Sequence, residues 1–193
     1  MRRIFVLGGA VAGVVLILLG AAAVIVGISG RSEVRDRLAE ERIVGTPDMT
    51  PEATAAGLDD AGLTDVEVPD CSVAGEEIDT GSRAECFADY MRIHTLESTS
   101  GQVYAEMPRA VDEQTGDPIP EEQAGAALAE GTAIDNPERQ IWVTQTALAT
   151  ALNVSYFAEQ VAMFSIVVGV ALVLIGIGLL VLTAGALRPQ RAP

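Results

Sequence analysis

The sequence predicts an all-α membrane protein, in which a two-span antiparallel helical hairpin carries a mostly helical exterior domain. Residues 4–28 and residues 161–187 are uncharged, almost wholly apolar stretches of 25 and 27 residues. All 27 acidic residues lie between these stretches, although the chain as a whole is 49% hydrophobic. A soluble domain seldom combines a positive mean hydropathy, here +0.33, with a formal net charge of -15, so we expect separate membrane and aqueous parts.

The first apolar stretch is interpreted as transmembrane helix 1, which follows a cytoplasmic N-terminus of residues 1–3. As a helix, residues 4–28 extend over about 37 Å and can cross a hydrocarbon core of about 30 Å. A cleaved signal peptide is the alternative, with residues 21–23 imitating a cleavage site. Because the apolar core of a signal peptide runs only about 7–15 residues, we expect an uncleaved anchor.

The acidic exterior domain, residues 29–160, is expected to begin and end with helical stalks. Residues 31–44 have helical composition, so transmembrane helix 1 should continue outward until Gly45. Thr50, followed by Pro and Glu, predicts the cap of a short helix that ends near Gly57.

The middle of this domain is predicted to hold one helix between two irregular segments. Residues 63–74 alternate weakly and contain Pro, so we expect them to be extended or loop-like. Ser82 is the predicted cap of a helix that runs to about Ser98, and apolar side chains recur along it at helical spacing: Phe87, Tyr90, Met91 and His94. Residues 112–136 are rich in Gly, Pro and acids, and we expect a loop with at most one Ala-rich turn.

The second long helix is predicted to start at Pro137, after the cap residue Asn136. It contains no further Pro and has its first Gly at position 169, so we expect a single helix of about 50 residues. Its last part, residues 161–187, is interpreted as transmembrane helix 2, and residues 188–193 as a cytoplasmic tail.

Basic residues beside the two spans predict their orientation, because cytoplasmic flanks carry an excess of Arg and Lys. Four of the 12 Arg, and no acid, lie at the two ends of the chain: Arg2, Arg3, Arg188 and Arg191. Residues 31–160 hold the other 8 Arg and 27 acids, a net charge of −19. We therefore expect both termini in the cytoplasm and residues 31–160 on the outer side of the plasma membrane. An acidic pI near 4.3 argues against nucleic acid as a partner, because binding of its phosphates requires a basic surface.

Cys71 and Cys86 are the only two cysteines, and both fall in the predicted exterior region. An oxidising compartment favours a disulfide between them. This bond would close a loop of 16 residues and stabilise the fold by roughly 3 kcal/mol. Zinc ligation and a reactive thiol pair are the alternatives. Zinc would require two further ligands, and a redox pair usually has C-x-x-C spacing.

Candidate catalytic, cofactor-binding and metal-binding sets are not apparent in the sequence. His94, the only imidazole, lies on an apolar stripe and is expected to be a packing residue rather than a general base. Glu85, Asp89 and Glu97 are expected to form a solvated helix face rather than a carboxylate pair for acid–base chemistry. The acidic region has no D-x-D-x-D-G loop, which argues against specific calcium binding. An enzyme that uses His94 with Glu97 or Asp89 is the least favoured hypothesis.

Small residues recur every seven positions in both apolar stretches, which predicts a helix seam. They are Gly13, Gly20 and Gly27 in the first stretch, and Ala162, Gly169 and Gly176 in the second. Small residues let helix backbones approach closely where no hydrophobic effect drives association. Antiparallel helices in one bilayer pair residues of equal depth, and pairing the two sets in reverse order gives a constant position sum of 189. The alternatives are chance recurrence of common residues, or stripes that face other chains.

Two short segments are the most distinctive in the chain: Tyr90-Met91-Arg92-Ile93-His94 and Ile141-Trp142-Val143-Thr144. With their surroundings, residues 85–109 and 136–168, they resemble a group of actinobacterial two-pass membrane proteins that often carry the label "aromatic ring-opening dioxygenase LigA". The resemblance covers roughly the C-terminal two-thirds of the chain and implies an actinobacterial plasma-membrane protein. A non-haem iron site of the 2-His-1-carboxylate type needs two His, and the chain has one, so dioxygenase activity is not expected.

These observations predict a non-catalytic membrane component that scaffolds or accompanies a larger envelope or membrane complex. Its expected partners are the lipid bilayer and other membrane proteins, and no cofactor is expected. The alternative is an exterior sensing or ligand-binding module. Because no cytoplasmic domain is predicted, such a module would have to signal through a partner.

Overall fold

The computed structural model describes residues 2–187 as a mainly helical protein; Met1 and the predicted tail, residues 188–193, lie outside the described residues. The α-helices in this range are α1 (Arg2–Glu40), α2 (Pro51–Asp60), α3 (Gly81–Ser98), α4 (Glu121–Glu130) and α5 (Pro137–Leu187). The short elements are β1 (Ala110–Asp112), β2 (Pro118–Ile119), β3 (Ala133–Asp135) and a 3-10 turn (Tyr104–Glu106). Contacts divide the chain into two compact units. The helix-pair unit comprises the described chain up to Arg37 and from Phe157 onward, and the central unit comprises Leu38–Tyr156.

The helix-pair unit consists of the first part of α1 and the last part of α5. Both helices are long and apolar enough to cross a membrane, judged by length and composition. α5 is one continuous helix of 51 residues, Pro137–Leu187, as the sequence predicted. The buried positions of this unit are mainly small residues, whereas most large apolar side chains, such as Leu18, Phe164 and Leu174, are exposed.

α1 continues beyond its apolar part, as predicted, but it ends at Glu40 rather than at Gly45. The turn that follows places Arg42 in the left-handed region, with a φ of 52°. This turn lets Gly45 pair with a later loop, where its N–H donates to the Glu76 carbonyl oxygen at 3.0 Å. A Cβ at this glycine would overlap the Val73 carbonyl oxygen. The helix ends early because the residues that follow it form hydrogen bonds with this later loop instead of continuing the helix.

The two short helices of the central unit that precede residue 100 both begin at threonine caps. Thr50 caps α2 by accepting a backbone N–H at 3.2 Å, which confirms the predicted start. α2 continues to Asp60, beyond the predicted end at Gly57. The predicted cap of α3 at Ser82 is wrong, because Thr80 accepts the backbone N–H at 3.4 Å instead. Ser82 is exposed in the first turn of the helix.

α3 is buried over more of its surface than the predicted stripe. Phe87 and Tyr90 are buried, whereas Met91 and His94 are only partly buried. Further buried residues lie on its other sides: Ala84, Cys86, Ala88, Ile93, Thr95 and Leu96. The helix packs against α2, is bonded to Cys71 and contributes Leu96 to an apolar cluster with Met107 and Trp142. It therefore lacks the single solvent face that periodicity assumes.

Residues 112–136, expected to be a loop, instead contribute to a small antiparallel sheet and a helix packed against it. The strand order is β2-β1-β3, with Ala110 opposite both Ile119 and Asp135. The hairpin between β1 and β2 turns at Gly116, whose φ is 76°. Three alanines form the buried cluster between sheet and α4: Ala110, Ala124 and Ala133. Strands of two or three residues and a core of alanines provide too little apolar periodicity to be recognised in the sequence.

Candidate functional site

The six predicted seam residues all belong to the helix-pair unit, and the structure brings them together as three buried pairs. A Cβ added to Gly20 would lie 2.5 Å from the Gly169 carbonyl oxygen, and a Cβ added to Gly169 would lie 2.7 Å from the Gly20 carbonyl oxygen. The other pairs are similarly close: a Cβ on Gly13 would lie 2.9 Å from the Gly176 oxygen, and a Cβ on Gly27 would lie 2.7 Å from the Ala162 oxygen. The two backbones are therefore in direct contact at each pair.

Besides these backbone pairs, larger side chains and one hydrogen bond also connect α1 and α5. Val173 and Val24 lie against the Gly20–Gly169 pair, each 2.8 Å from an added Cβ. The Ser165 hydroxyl donates to the Ala23 carbonyl oxygen at 3.1 Å, which links α5 directly to the backbone of α1. The seam thus combines backbone contact, side-chain packing and an interhelical hydrogen bond. Close packing and interhelical hydrogen bonds are interactions that can associate helices without a hydrophobic driving force.

A charged cluster continues the seam by about one helical turn. Arg31 Nε donates to Glu159 Oε1 at 2.8 Å, and the Arg35 guanidinium donates to the same oxygen at 2.8 Å and 3.0 Å. The Glu159 side chain is only 10% exposed, whereas the two Arg side chains are 36% and 41% exposed. Because the Glu159 carboxylate is nearly buried and accepts from both Arg side chains, a shift of register would take it away from these donors, so the cluster favours one helix register.

This cluster was not predicted from the sequence, although a signal for it is present there. Arg31 and Arg35 were counted only among the eight Arg of residues 31–160, and Glu159 was not singled out. The positions of Arg31 and Glu159 sum to 190, close to the constant sum of 189 for the seam. Extending the seam by one turn would have placed the acid opposite the base.

The central unit is held together at Cys71. The structure pairs Cys71 with Cys86 as a disulfide, with a Cα–Cα distance of 6.2 Å. One turn farther along α3, the Tyr90 hydroxyl donates to the Cys71 carbonyl oxygen. Burial, with smaller contributions from Glu52 and Asp70, raises the pKa of Tyr90. A covalent bond and a hydrogen bond therefore fix the same residue to α3.

The two distinctive sequence segments meet in the central unit. Trp142 is buried, and its indole N–H donates to the Gln102 carbonyl oxygen at 3.0 Å. Leu96 and Met107 pack against it in one apolar cluster. The Arg92 guanidinium lies 5.3 Å from the centre of the Trp142 ring, a cation–π distance. The two distinctive segments therefore pack against each other where α3 meets the first part of α5.

His94 does not lie against the acids considered with it in the sequence. Its Nε2 atom is 3.4 Å from Asp48 Oδ2, a carboxylate in the loop before α2. A hydrogen bond from the Thr46 side chain is the main reason that the pKa of Asp48 is lowered, and the nearby His94 acts in the same direction. The neighbour of His94 was not predicted, because the loop that carries Asp48 has no recognisable motif.

The three acids of α3 have separate surroundings rather than one shared site. Glu97 lies beside Gly57 of α2, where an added Cβ would be 2.6 Å from its Oε1 atom. Asp89 lines a groove with the irregular segment 66–70, and burial raises the pKa of its carboxyl group. Glu85 is half-buried. Within residues 2–187, no group of three or more His, Cys, Asp or Glu side chains could hold a metal ion.

Comparisons with protein-family models, with curated proteins and with solved structures find no match to this chain. The function is therefore inferred from the geometry of the two units.

Proposed function

We propose that the protein is a non-catalytic, two-pass plasma-membrane protein that accompanies or scaffolds a larger envelope or membrane complex. In this proposal the helix-pair unit crosses the bilayer as an antiparallel hairpin, and both termini face the cytoplasm. The central unit then lies on the outer side, where it contacts partner proteins. An actinobacterial source, which the sequence resemblance implies, is part of the same proposal.

The observation that carries the proposal is the inverted distribution of side chains in the helix-pair unit. Its interior is a line of glycines with touching backbones, and its surface exposes 22 large apolar side chains. Transferring one such side chain out of water is worth about 1.5–3 kcal/mol, so this surface would be strongly unfavourable in an aqueous solvent. A hydrocarbon surrounding removes that cost.

The Arg31–Arg35–Glu159 cluster supports the same proposal. It follows the apolar stretch of α1 directly and lies at the end of the seam. Charged side chains are expensive in hydrocarbon, whereas Arg side chains at the end of a span can extend toward the headgroups. The cluster would therefore mark the boundary of the outer leaflet.

Labelling of single added cysteines tests the topology. The native disulfide is retained, so its sulfurs do not react, and the added positions are Ser82→Cys in the central unit and Ala192→Cys in the tail. An impermeant maleimide on intact cells should label Ser82→Cys, and Ala192→Cys should react only after permeabilisation. The reverse pattern would invert the orientation, and labelling of both positions on intact cells would exclude the hairpin.

Purification in a mild detergent tests the accompanying role. We expect the chain to co-purify with a defined set of envelope or membrane proteins, identified by mass spectrometry. An unrelated two-pass protein of similar size and abundance is the control for non-specific capture. A chain that elutes alone as a monomer in several detergents would contradict the scaffold proposal, even if the topology is correct.

A further inference from the structure

A cleft in the central unit lies beside the first turn of α5, and neither Cys71 nor Cys86 lines it. Its volume is about 490 Å³, within the range of small-molecule sites. Both polar and apolar groups line it, and its chemistry comes mainly from Tyr104, Arg109, Asp135, Arg139 and Gln140. Two of the eight Arg among residues 31–160 thus line one cleft, in a region where acids outnumber Arg by 27 to 8.

The backbone of the small sheet brings these two arginines together. β1 and β3 pair with Ala110 opposite Asp135, and one residue farther the Asn136 N–H donates to the Arg109 carbonyl oxygen at 2.9 Å. The Asn136 side chain also donates to the Pro108 carbonyl oxygen at 3.0 Å. These bonds hold Arg109 against the start of α5, where Arg139 occupies the first turn.

The Arg139 side chain lies over an aromatic ring. Its guanidinium carbon lies 4.2 Å from the centre of the Tyr104 ring. The N–H groups of a guanidinium fit the oxygens of a phosphate or carboxylate. In the part of the chain that the structure describes, neither the Arg109 nor the Arg139 side chain forms a hydrogen bond or an ion pair.

We propose that this cleft binds a small anionic molecule with hydroxyl groups, such as a sugar that carries a phosphate or a carboxylate. Arg109 and Arg139 would hold the anionic group, and Asp135 and Gln140 would accept and donate hydrogen bonds to the hydroxyls. The two Arg outnumber the one lining carboxylate, so the cleft attracts anions within an otherwise acidic unit. This site goes beyond the proposed membrane role and involves the central unit alone.

Calorimetric titration of the full chain in detergent tests the site with three probes that share one scaffold: glucose 6-phosphate, glucuronate and uncharged glucose. We expect saturable binding of at least one charged probe and none of glucose. Binding of only the phosphate or only the carboxylate probe supports the proposal and identifies the anionic group. Absence of saturable binding for both, or equal binding of glucose, overturns it.

Variants separate a built site from general electrostatic attraction. Arg109→Gln should lower the affinity for the charged probe by about tenfold or more, because one charge-assisted contact is lost. Arg139→Gln should act similarly, and Arg139→Lys should retain part of the binding because the charge remains. The matched control is Arg42→Gln, an exposed arginine outside the cleft, which should leave binding unchanged. Equal weakening by Arg42→Gln and Arg109→Gln, with unchanged melting temperatures, overturns the proposal.

Discussion

Tyr90 combines complete burial with a polar group that needs a partner. Its side chain is 0% exposed, and its hydroxyl donates to the carbonyl oxygen of Cys71. Cys71 is also bonded to Cys86, which precedes Tyr90 by one turn of α3. A buried carbonyl without a donor costs more than the net value of the hydrogen bond itself. Loss of the Tyr90 hydroxyl alone, with the ring retained, is therefore expected to lower the stability of the fold.

We predict that Tyr90→Phe lowers the free energy of unfolding by about 1–2 kcal/mol, because the Cys71 carbonyl oxygen loses its donor. Urea unfolding followed by the fluorescence of Trp142 measures this value. Tyr104→Phe is the matched control, since Tyr104 is 43% exposed and its ring can still stack with Arg139. Equal stability of the two variants would contradict the role assigned to the Tyr90 hydroxyl.

Asp89 leads to a prediction about pH. The side chain is exposed at the surface, but the surrounding groove removes part of its hydration and raises the pKa of the carboxyl group. A raised pKa means that folding favours the protonated form, so the penalty is absent at acidic pH and develops as the pH rises through the folded pKa. Asp89→Asn should therefore stabilise the protein at pH 7, by less than about 1 kcal/mol because solvent screens the group.

The stability gain from Asp89→Asn should disappear when unfolding is repeated at a pH below the pKa of an unfolded Asp, about 3.9. Asp65→Asn, an exposed residue outside the groove, controls for the general relief of negative charge. A gain that is the same at both pH values, or that Asp65→Asn reproduces, would show that the groove has no specific effect.

At the scale of helices, glycine has opposite effects inside and outside the seam. Replacing a helical Gly with Ala normally favours the helix by about 1 kcal/mol. An added Cβ on Gly178 would meet no atom within 4 Å, whereas one on Gly20 would lie 2.5 Å from a backbone oxygen of α5. We predict that Gly178→Ala is neutral or stabilising, and that Gly20→Ala destabilises the helix pair by roughly 1–3 kcal/mol.

The stabilities of Gly20→Ala and Gly178→Ala can be compared by titrating each variant, in lipid micelles, with sodium dodecyl sulfate and monitoring unfolding by circular dichroism. Cross-linking of Ala23→Cys with Ser165→Cys then asks whether the seam forms within one chain, and it leaves the glycines unchanged. A disulfide within the monomer agrees with the predicted pairs. A disulfide only between chains, together with equal stability of Gly20→Ala and Gly178→Ala, would assign the glycine stripes to an oligomer.

At the scale of the whole molecule, the disulfide and the only tryptophan belong to the same unit, and the seam belongs to the other. Reduction of Cys71–Cys86 should therefore destabilise the central unit by roughly 3 kcal/mol in the chain-entropy description. The Trp142 fluorescence transition should move to lower temperature, while the α-helical signal of the apolar segments persists. The double variant Cys71→Ser/Cys86→Ser should melt at the lower temperature with or without reductant. If neither reduction nor the double variant lowers the temperature of the Trp142 fluorescence transition, this prediction is wrong.

The sequence by itself determined the features that depend on local composition and period. The two long helices follow from uninterrupted apolar residues, and the start of α5 follows from Asn136 and Pro137. The seven-residue recurrence of small residues was sufficient to choose six positions, which the structure places in contact. Each of these signals is carried by residues within a few turns of one another, so no knowledge of the fold is needed to read it.

Only the tertiary structure decided which distant groups meet. Glu159 bonds Arg31 across 128 positions, Trp142 bonds Gln102 across 40, and Tyr90 bonds Cys71 across 19. The small sheet and the two arginines of the cleft likewise depend on pairing between β1 and β3. Hydrogen bonds and ion pairs act over about 3 Å, and local propensity contains no information about which remote side chain will be that close. Packing of the whole chain supplies that information.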